Sequence, residues 1–141
     1  MDLFGSYEAG ERKFNKLFET SIRGRRGVWG GGVGLNYFIT REIGIGVDAN
    51  AGDDRGPFVD HVLGSVIARW PFEPTGWAPY VFGGGGRATD PHYEWLGHFG
   101  VGVEYRFNPT TGMFMDGRYI WHEKEGSFDR SLLRAGLRLV F

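Results

Sequence analysis

Ionisable side chains spaced two or four residues apart are the first candidates for chemistry in this chain. Glu104 precedes Arg106, Asp116 precedes Arg118, and Arg134 precedes Arg138. This spacing places side chains on one face of a β-strand. Because a buried charge without a partner costs about 3–5 kcal/mol, acids and bases that share a buried face should pair with one another. The ion-pair network predicted in this way comprises Glu8, Asp48, Arg69, Glu104, Arg106, Asp116, Arg118, Arg134 and Arg138.

Histidines are the other candidates. His61, His92, His98 and His122 all fall near predicted loops, and no H-x-x-x-H spacing joins them. We therefore expect solvated surface histidines rather than metal ligands. The absence of cysteine excludes disulfides, thiolate catalysis and Cys-ligated metals. We predict no catalytic residue, no cofactor and no metal.

The composition favours a β-structure. Each glycine inside a helix costs about 1 kcal/mol relative to alanine, and the chain has 25 glycines with 16% aromatic residues. No stretch of even about 15 uninterrupted apolar residues exists, which excludes a transmembrane helix of roughly 20 residues. The net charge of −1 gives no support to nucleic-acid binding. At 141 residues, without a linker-like segment, the chain fits one domain, 1–141.

Apolar residues alternate with glycine or polar residues along most of the chain, and this period of two predicts strands. The clearest case has Ile43, Ile45 and Val47 on one face, with Gly44 and Asp48 on the other. The facing of strand five is ambiguous because of its glycines. The predicted strands are 2–12, 28–39, 42–51, 60–72, 77–86, 96–107, 113–122 and 131–141.

About eight strands of roughly ten residues match the length that crosses a bilayer at a 45° tilt. Short connections at 40–41, 73–76 and 108–111 alternate with longer ones at 13–27, 52–59, 87–95 and 123–130. In an up-and-down barrel, all turns then lie at one end and all loops at the other. Interfacial aromatic girdles should flank the apolar band. Their predicted members are Trp29, Tyr37, Trp70, Trp77, Tyr105, Tyr119, Trp121 and Phe141.

The sequence resembles the opacity-type and OmpA-type outer-membrane barrel domains. The resemblance lies in "GGGVGLNYFITREIGIGVDA", "FGVGVEYRFNPTTGMFMDGRY" and "RAGLRLVF", and covers most of the chain from Val28 onward. It implies an antiparallel, about eight-stranded transmembrane β-barrel in the outer membrane of a Gram-negative-type bacterium. It also implies that the barrel assembly machinery reads the terminal strand, which ends on Phe141.

The resemblance is specific for architecture and weak for function, because members of the family differ chiefly in their loops. Some barrels of this size are lipid A deacylases or acyltransferases, with a His-x-Ser-Asn run at the end of strand seven. Here His122 is followed by Glu and Lys, so the nucleophile of that pattern is missing and we expect no enzyme. Two further alternatives stay open: a soluble lipocalin-like barrel that binds an apolar ligand in its lumen, and a narrow ion channel.

We place the charged face inside, where about eight strands leave just enough room for side chains to fill the lumen. The expected protein is a monomer with a plugged polar lumen and a structural or surface-interaction role. Its expected partners are the lipid bilayer and lipopolysaccharide, whose phosphates Arg23, Arg25 and Arg26 of the first loop could clamp. The first residues, Met-Asp-Leu-Phe, lack the features of a signal peptide, so we expect a mature form.

Overall fold

The architecture is a closed barrel of antiparallel strands. The structure, a computed structural model, describes residues 1–10, 27–52, 59–88, 94–122 and 130–139. Among these residues, no helix is long and apolar enough to cross a membrane. The eight strands found in the described ranges are β1 (Asp2–Gly10), β2 (Val28–Phe38), β3 (Ile43–Gly52), β4 (His61–Arg69), β5 (Trp77–Ala88), β6 (Glu94–Asn108), β7 (Thr111–His122) and β8 (Arg130–Leu139).

Each strand pairs with its neighbour in sequence, and β1 closes the ring by pairing with β8. The closing register pairs Leu3 with Leu137 and Tyr7 with Leu133. No strand edge is left open, so every strand of the described chain hydrogen-bonds on both sides. The fold class predicted from the alternation, an eight-stranded antiparallel barrel, is confirmed.

The alternation of residue types along each strand separates the residues that face the lumen from those on the outer wall. In β3, Ile43, Ile45 and Val47 are exposed on the outer wall, whereas Gly44 and Asp48 are buried. The wall side chains are apolar around the circumference, from Leu35 on β2 to Leu137 on β8. The charged face lies inside, opposite to the arrangement that a lipocalin-like ligand binder requires.

Two predictions about the strands were incomplete or wrong. The facing of β5, ambiguous in sequence, is now assigned: Tyr80 and Phe82 point into the lumen and are buried. The segment 87–95 was predicted as a loop, yet Arg87 pairs with Trp95 in the ladder between β5 and β6. Strands β5 and β6 are longer than predicted because the hydrogen bonds between them continue past the four glycines 83–86. These glycines hid the alternation in the sequence of β5.

Short turns close one end of the barrel. The β6–β7 turn is fixed by the Asn108 side chain, whose Oδ1 accepts hydrogen bonds from the backbone nitrogens of Thr110 at 2.9 Å and Thr111 at 2.8 Å. In the β2–β3 turn, Thr40 Oγ1 accepts from the backbone nitrogen of Ile43 at 3.0 Å. The two hairpins thereby set the register that aligns the lumen-facing side chains.

Candidate functional site: the polar lumen

The lumen begins at the turn end with a carboxylate shared by three arginines. Glu104 is fully buried and accepts hydrogen bonds from Arg138 Nη1 at 2.5 Å and from Arg106 Nε at 2.7 Å. Arg69 Nη1 lies 3.6 Å from the same carboxylate. Arg138 also reaches across to Asp2, donating from Nε at 2.8 Å and Nη2 at 2.7 Å. This layer joins β1, β4, β6 and β8.

The middle of the lumen holds two bidentate pairs linked by one arginine. Arg134 donates from Nε and Nη2 to the two oxygens of Asp116, both at 2.8 Å. Arg118 donates from Nη1 and Nη2 to the two oxygens of Asp48, at 2.9 and 2.8 Å. Arg134 Nη1 lies 3.2 Å from Asp48 and so connects the two pairs. The geometry is the fork-to-carboxylate form that gives charge-assisted bonds their strength.

Toward the loop end, apolar side chains join the charged ones in the lumen. Glu8 pairs with Arg130 at 2.9 Å, and this pair is partly exposed. Beside it four buried aliphatic side chains from β4, β6, β7 and β8 form one apolar cluster. Its members are Leu63, Leu96, Ile120 and Leu132. The loop-end half of the lumen therefore combines one partly exposed ion pair with apolar packing.

All nine residues named for the network from sequence take part in ion pairs, and the pairs cross the lumen as well as running along the wall. Asp48 on β3 meets Arg118 on β7, and Glu104 on β6 meets Arg138 on β8. Asp2 was not among the residues predicted for the network, although Asp2 lies two residues before Phe4 and six before Glu8 on the same face. Its partner Asn36, which donates to Asp2 Oδ2 at 2.6 Å, was also omitted from the network.

Aromatic rings form a second component of the lumen. Tyr80 donates its hydroxyl to Asp116 at 2.7 Å, and Arg134 Cζ lies 4.8 Å from the centroid of the Phe4 ring. The rings occupy the space over inward glycines: a Cβ on Gly100 would sit 2.9 Å from Phe82 Cε1. No signal identified Tyr80, because the glycines after it obscured the facing of β5.

Two histidines contradict the prediction of solvated surface residues. His61 and His98 point into the lumen and are 3% and 1% exposed. Nε2 of His98 lies 3.0 Å from the carbonyl oxygen of Gly64. Both residues lie within the predicted strands 60–72 and 96–107, on the same parity as the buried Leu63 and Glu104, so their side chains fall inside the barrel. His92 lies outside the described residues, and the described part of His122 is its backbone at the end of β7.

The described aromatic residues of the predicted girdles lie on the outer wall at the two ends. Trp29 and Trp121 are exposed at the loop end, whereas Tyr37 and Trp77 are exposed at the turn end. Trp77 packs on Tyr105 with ring centroids 4.7 Å apart. Trp70 follows β4 and is half exposed, and Tyr119 is partly buried beside Phe99. Phe141, Arg23, Arg25 and Arg26 lie outside the described residues.

Proteins of known structure share this barrel geometry. The sequence matches no protein-family model and no curated protein. Neisserial surface protein A shares the fold at a TM-score of 0.68 and 16% identity, over 99% of this chain and 95% of that one. The chain has the fold of the eight-stranded outer-membrane β-barrels.

Two further barrels extend the likeness. The N-terminal β-barrel domain of OprF from Pseudomonas aeruginosa gives a TM-score of 0.58 at 15% identity, covering 96% of each chain. A de novo designed transmembrane β-barrel gives 0.53 at 19% identity, over 99% of this chain and 95% of that one.

Proposed function

We propose that this chain is an outer-membrane β-barrel with a closed polar lumen and a structural or surface-interaction role. One observation carries the proposal: the outer wall is apolar and exposed, while charged side chains are paired inside. Leu35, Val66 and Val101 on three different strands are each about 60% exposed. Water would penalise such a wall over its full circumference, whereas a bilayer core stabilises it. The two aromatic ends support the same orientation, with turns periplasmic and loops outside.

A structural role, rather than catalysis or transport, is supported by the state of the lumen groups. The carboxylates of Asp48, Glu104 and Asp116 are each engaged by guanidinium groups. A carboxylate held in this way has little freedom to act as a base or to hand on an ion. Lipopolysaccharide and the assembly machinery remain the proposed partners, through Arg23, Arg25 and Arg26 and through Phe141 respectively.

The test is the dependence of folding on amphiphiles. Protein refolded in detergent micelles should migrate faster on a gel before boiling than after, because the closed barrel resists the gel detergent until it is heated. Refolding in buffer without detergent should yield aggregate. A monomer that folds in plain buffer would show that the outer wall meets water, and the membrane proposal would fail.

A further inference from the structure

One charged side chain breaks the pattern of the outer wall. Along the parts of β1–β8 whose side chains the structure describes, Arg87 is the only charged side chain at an outward position. The other arginines and the acids whose side chains are described on these strands face the lumen. Arg87 lies next to the end of β5, paired in the ladders with Val62 and Trp95. A cation at this level of the wall sits at the membrane interface, where its cost is small.

The guanidinium of Arg87 is held on an aromatic ring. Its Cζ lies 4.4 Å from the centroid of Trp95, which is itself 60% exposed on the wall. Among the side chains that the structure describes, none forms an ion pair with Arg87. Stacking covers one face of a guanidinium and leaves the N–H donors at its edge, which is the arrangement that binds phosphate oxygens. The wall therefore presents an oriented cation at its loop end.

Between Arg87 and the middle of the barrel, the outer wall carries glycines instead of larger side chains. Gly64, Gly83 and Gly85, on β4 and β5, face outward and form what we call the glycine floor. A Cβ built on Gly64 would meet only the carbonyl oxygen of Gly85, at 3.6 Å. Val62 and Val66 border the floor on one side and Phe99 on the other, since the ladders pair Val66 with Gly83 and Gly83 with Phe99. The result is a shallow apolar depression that runs from Arg87 toward the middle of the wall.

We propose that this surface binds lipid A of lipopolysaccharide, with a phosphate on Arg87 and an acyl chain over the glycine floor. The inference rests on the proposed function, which puts the loop end in the outer leaflet. The order of the features matches the ligand: a cation at the level of the headgroup, then an apolar depression at the level of the chains. The positive charge of Arg87 favours an anionic lipid. In the outer leaflet, the anionic lipid is lipopolysaccharide.

The experiment measures lipid binding to the folded full chain in a non-ionic detergent, by native mass spectrometry. The probes are bisphosphorylated lipid A, the same lipid A without phosphates, and phosphatidylglycerol. Arg87→Gln removes the cation, and Arg41→Gln is its control, because Arg41 is an exposed arginine at the opposite end of the barrel. Gly64→Leu fills the floor. Gly5→Leu is its control, since Gly5 is an outward glycine of β1 where an added Cβ would have no neighbour within 4 Å.

Arg87→Gln should weaken binding of bisphosphorylated lipid A by roughly five- to tenfold, as expected for one basic residue at a lipid surface, and leave the phosphate-free form unchanged. Gly64→Leu should weaken both forms, and the two control variants should bind like the wild type. Wild-type affinity in Arg87→Gln would overturn the site, and equal affinity for phosphatidylglycerol would overturn lipid A as its ligand. Faster gel migration before boiling, checked for every variant, tests the barrel separately, so a failed site and a failed fold are distinguishable.

Discussion

At the scale of single residues, Asp116 shows why the lumen charges must be paired. Its carboxylate is 2% exposed and accepts two hydrogen bonds from Arg134 and one from the Tyr80 hydroxyl. Burying charges is expensive, and the cost is recovered only when the geometry is good and the remaining polar atoms are satisfied. At Asp116 this condition is met by the forked pair with Arg134 and by the Tyr80 hydroxyl.

Replacing Asp116 by Leu should destabilise the barrel by about 3–5 kcal/mol, because Arg134 and Tyr80 lose a buried acceptor. The free energy of unfolding by urea in lipid vesicles measures the effect. Glu73→Gln is the control: its pair with Arg41 is exposed at the turn end, where such pairs contribute about 0–1 kcal/mol. Equal, small effects of the two substitutions would mean that the lumen is hydrated and that its ion pairs are not structural.

At the scale of the strand, glycine has two separate uses. On the inner face it makes room: a Cβ on Gly136 of β8 would lie 2.7 Å from both Cα and Cβ of Phe4 on the neighbouring strand. On the outer face it leaves open wall, as at Gly5 of β1, where a Cβ would have no neighbour within 4 Å. Gly136 therefore avoids a clash inside the barrel, whereas Gly5 leaves the outer wall uncovered.

We expect Gly136→Val to lower the free energy of unfolding by about 1–3 kcal/mol, since the added atoms force β1 and β8 apart at the seam that closes the barrel. Gly5→Val, on the other side of the same seam, should leave the urea midpoint close to the wild-type value. If the outward variant were the more damaging of the two, the assignment of inside and outside at this seam would be wrong.

At the scale of the whole molecule, two kinds of side-chain contact occupy the lumen. Ion pairs lie in the turn-end half and in the middle, and the apolar cluster around Leu63 and Ile120 lies beside the Glu8–Arg130 pair in the loop-end half. An ion moving through would have to separate buried pairs and then cross an apolar layer. Both steps are costly at low dielectric.

Planar-bilayer recordings of the folded chain should therefore show no steady single-channel conductance, under conditions in which a sixteen-stranded porin conducts. Steady, reproducible steps that scale with salt concentration would contradict a closed lumen and would favour the narrow ion channel considered from sequence.

The sequence by itself determined the number of strands, their approximate limits, and which face of most strands meets the exterior. Side-chain parity is a local property of an extended backbone, so Ile43, Ile45 and Val47 already predicted their common face. The charged residues of that inner face, such as Asp48 and Arg118, were found in the same way.

Only the tertiary structure decided which groups meet. Arg118 pairs with Asp48 from β3 rather than with a residue on an adjacent strand, because closure of the barrel brings distant strands to face each other across the lumen. Closure likewise buried His61 and His98, fixed the facing of Tyr80 and placed Arg87 over Trp95 on the apolar wall. Parity assigns a side chain to a face, whereas its partner depends on register and curvature, which arise from all eight strands together.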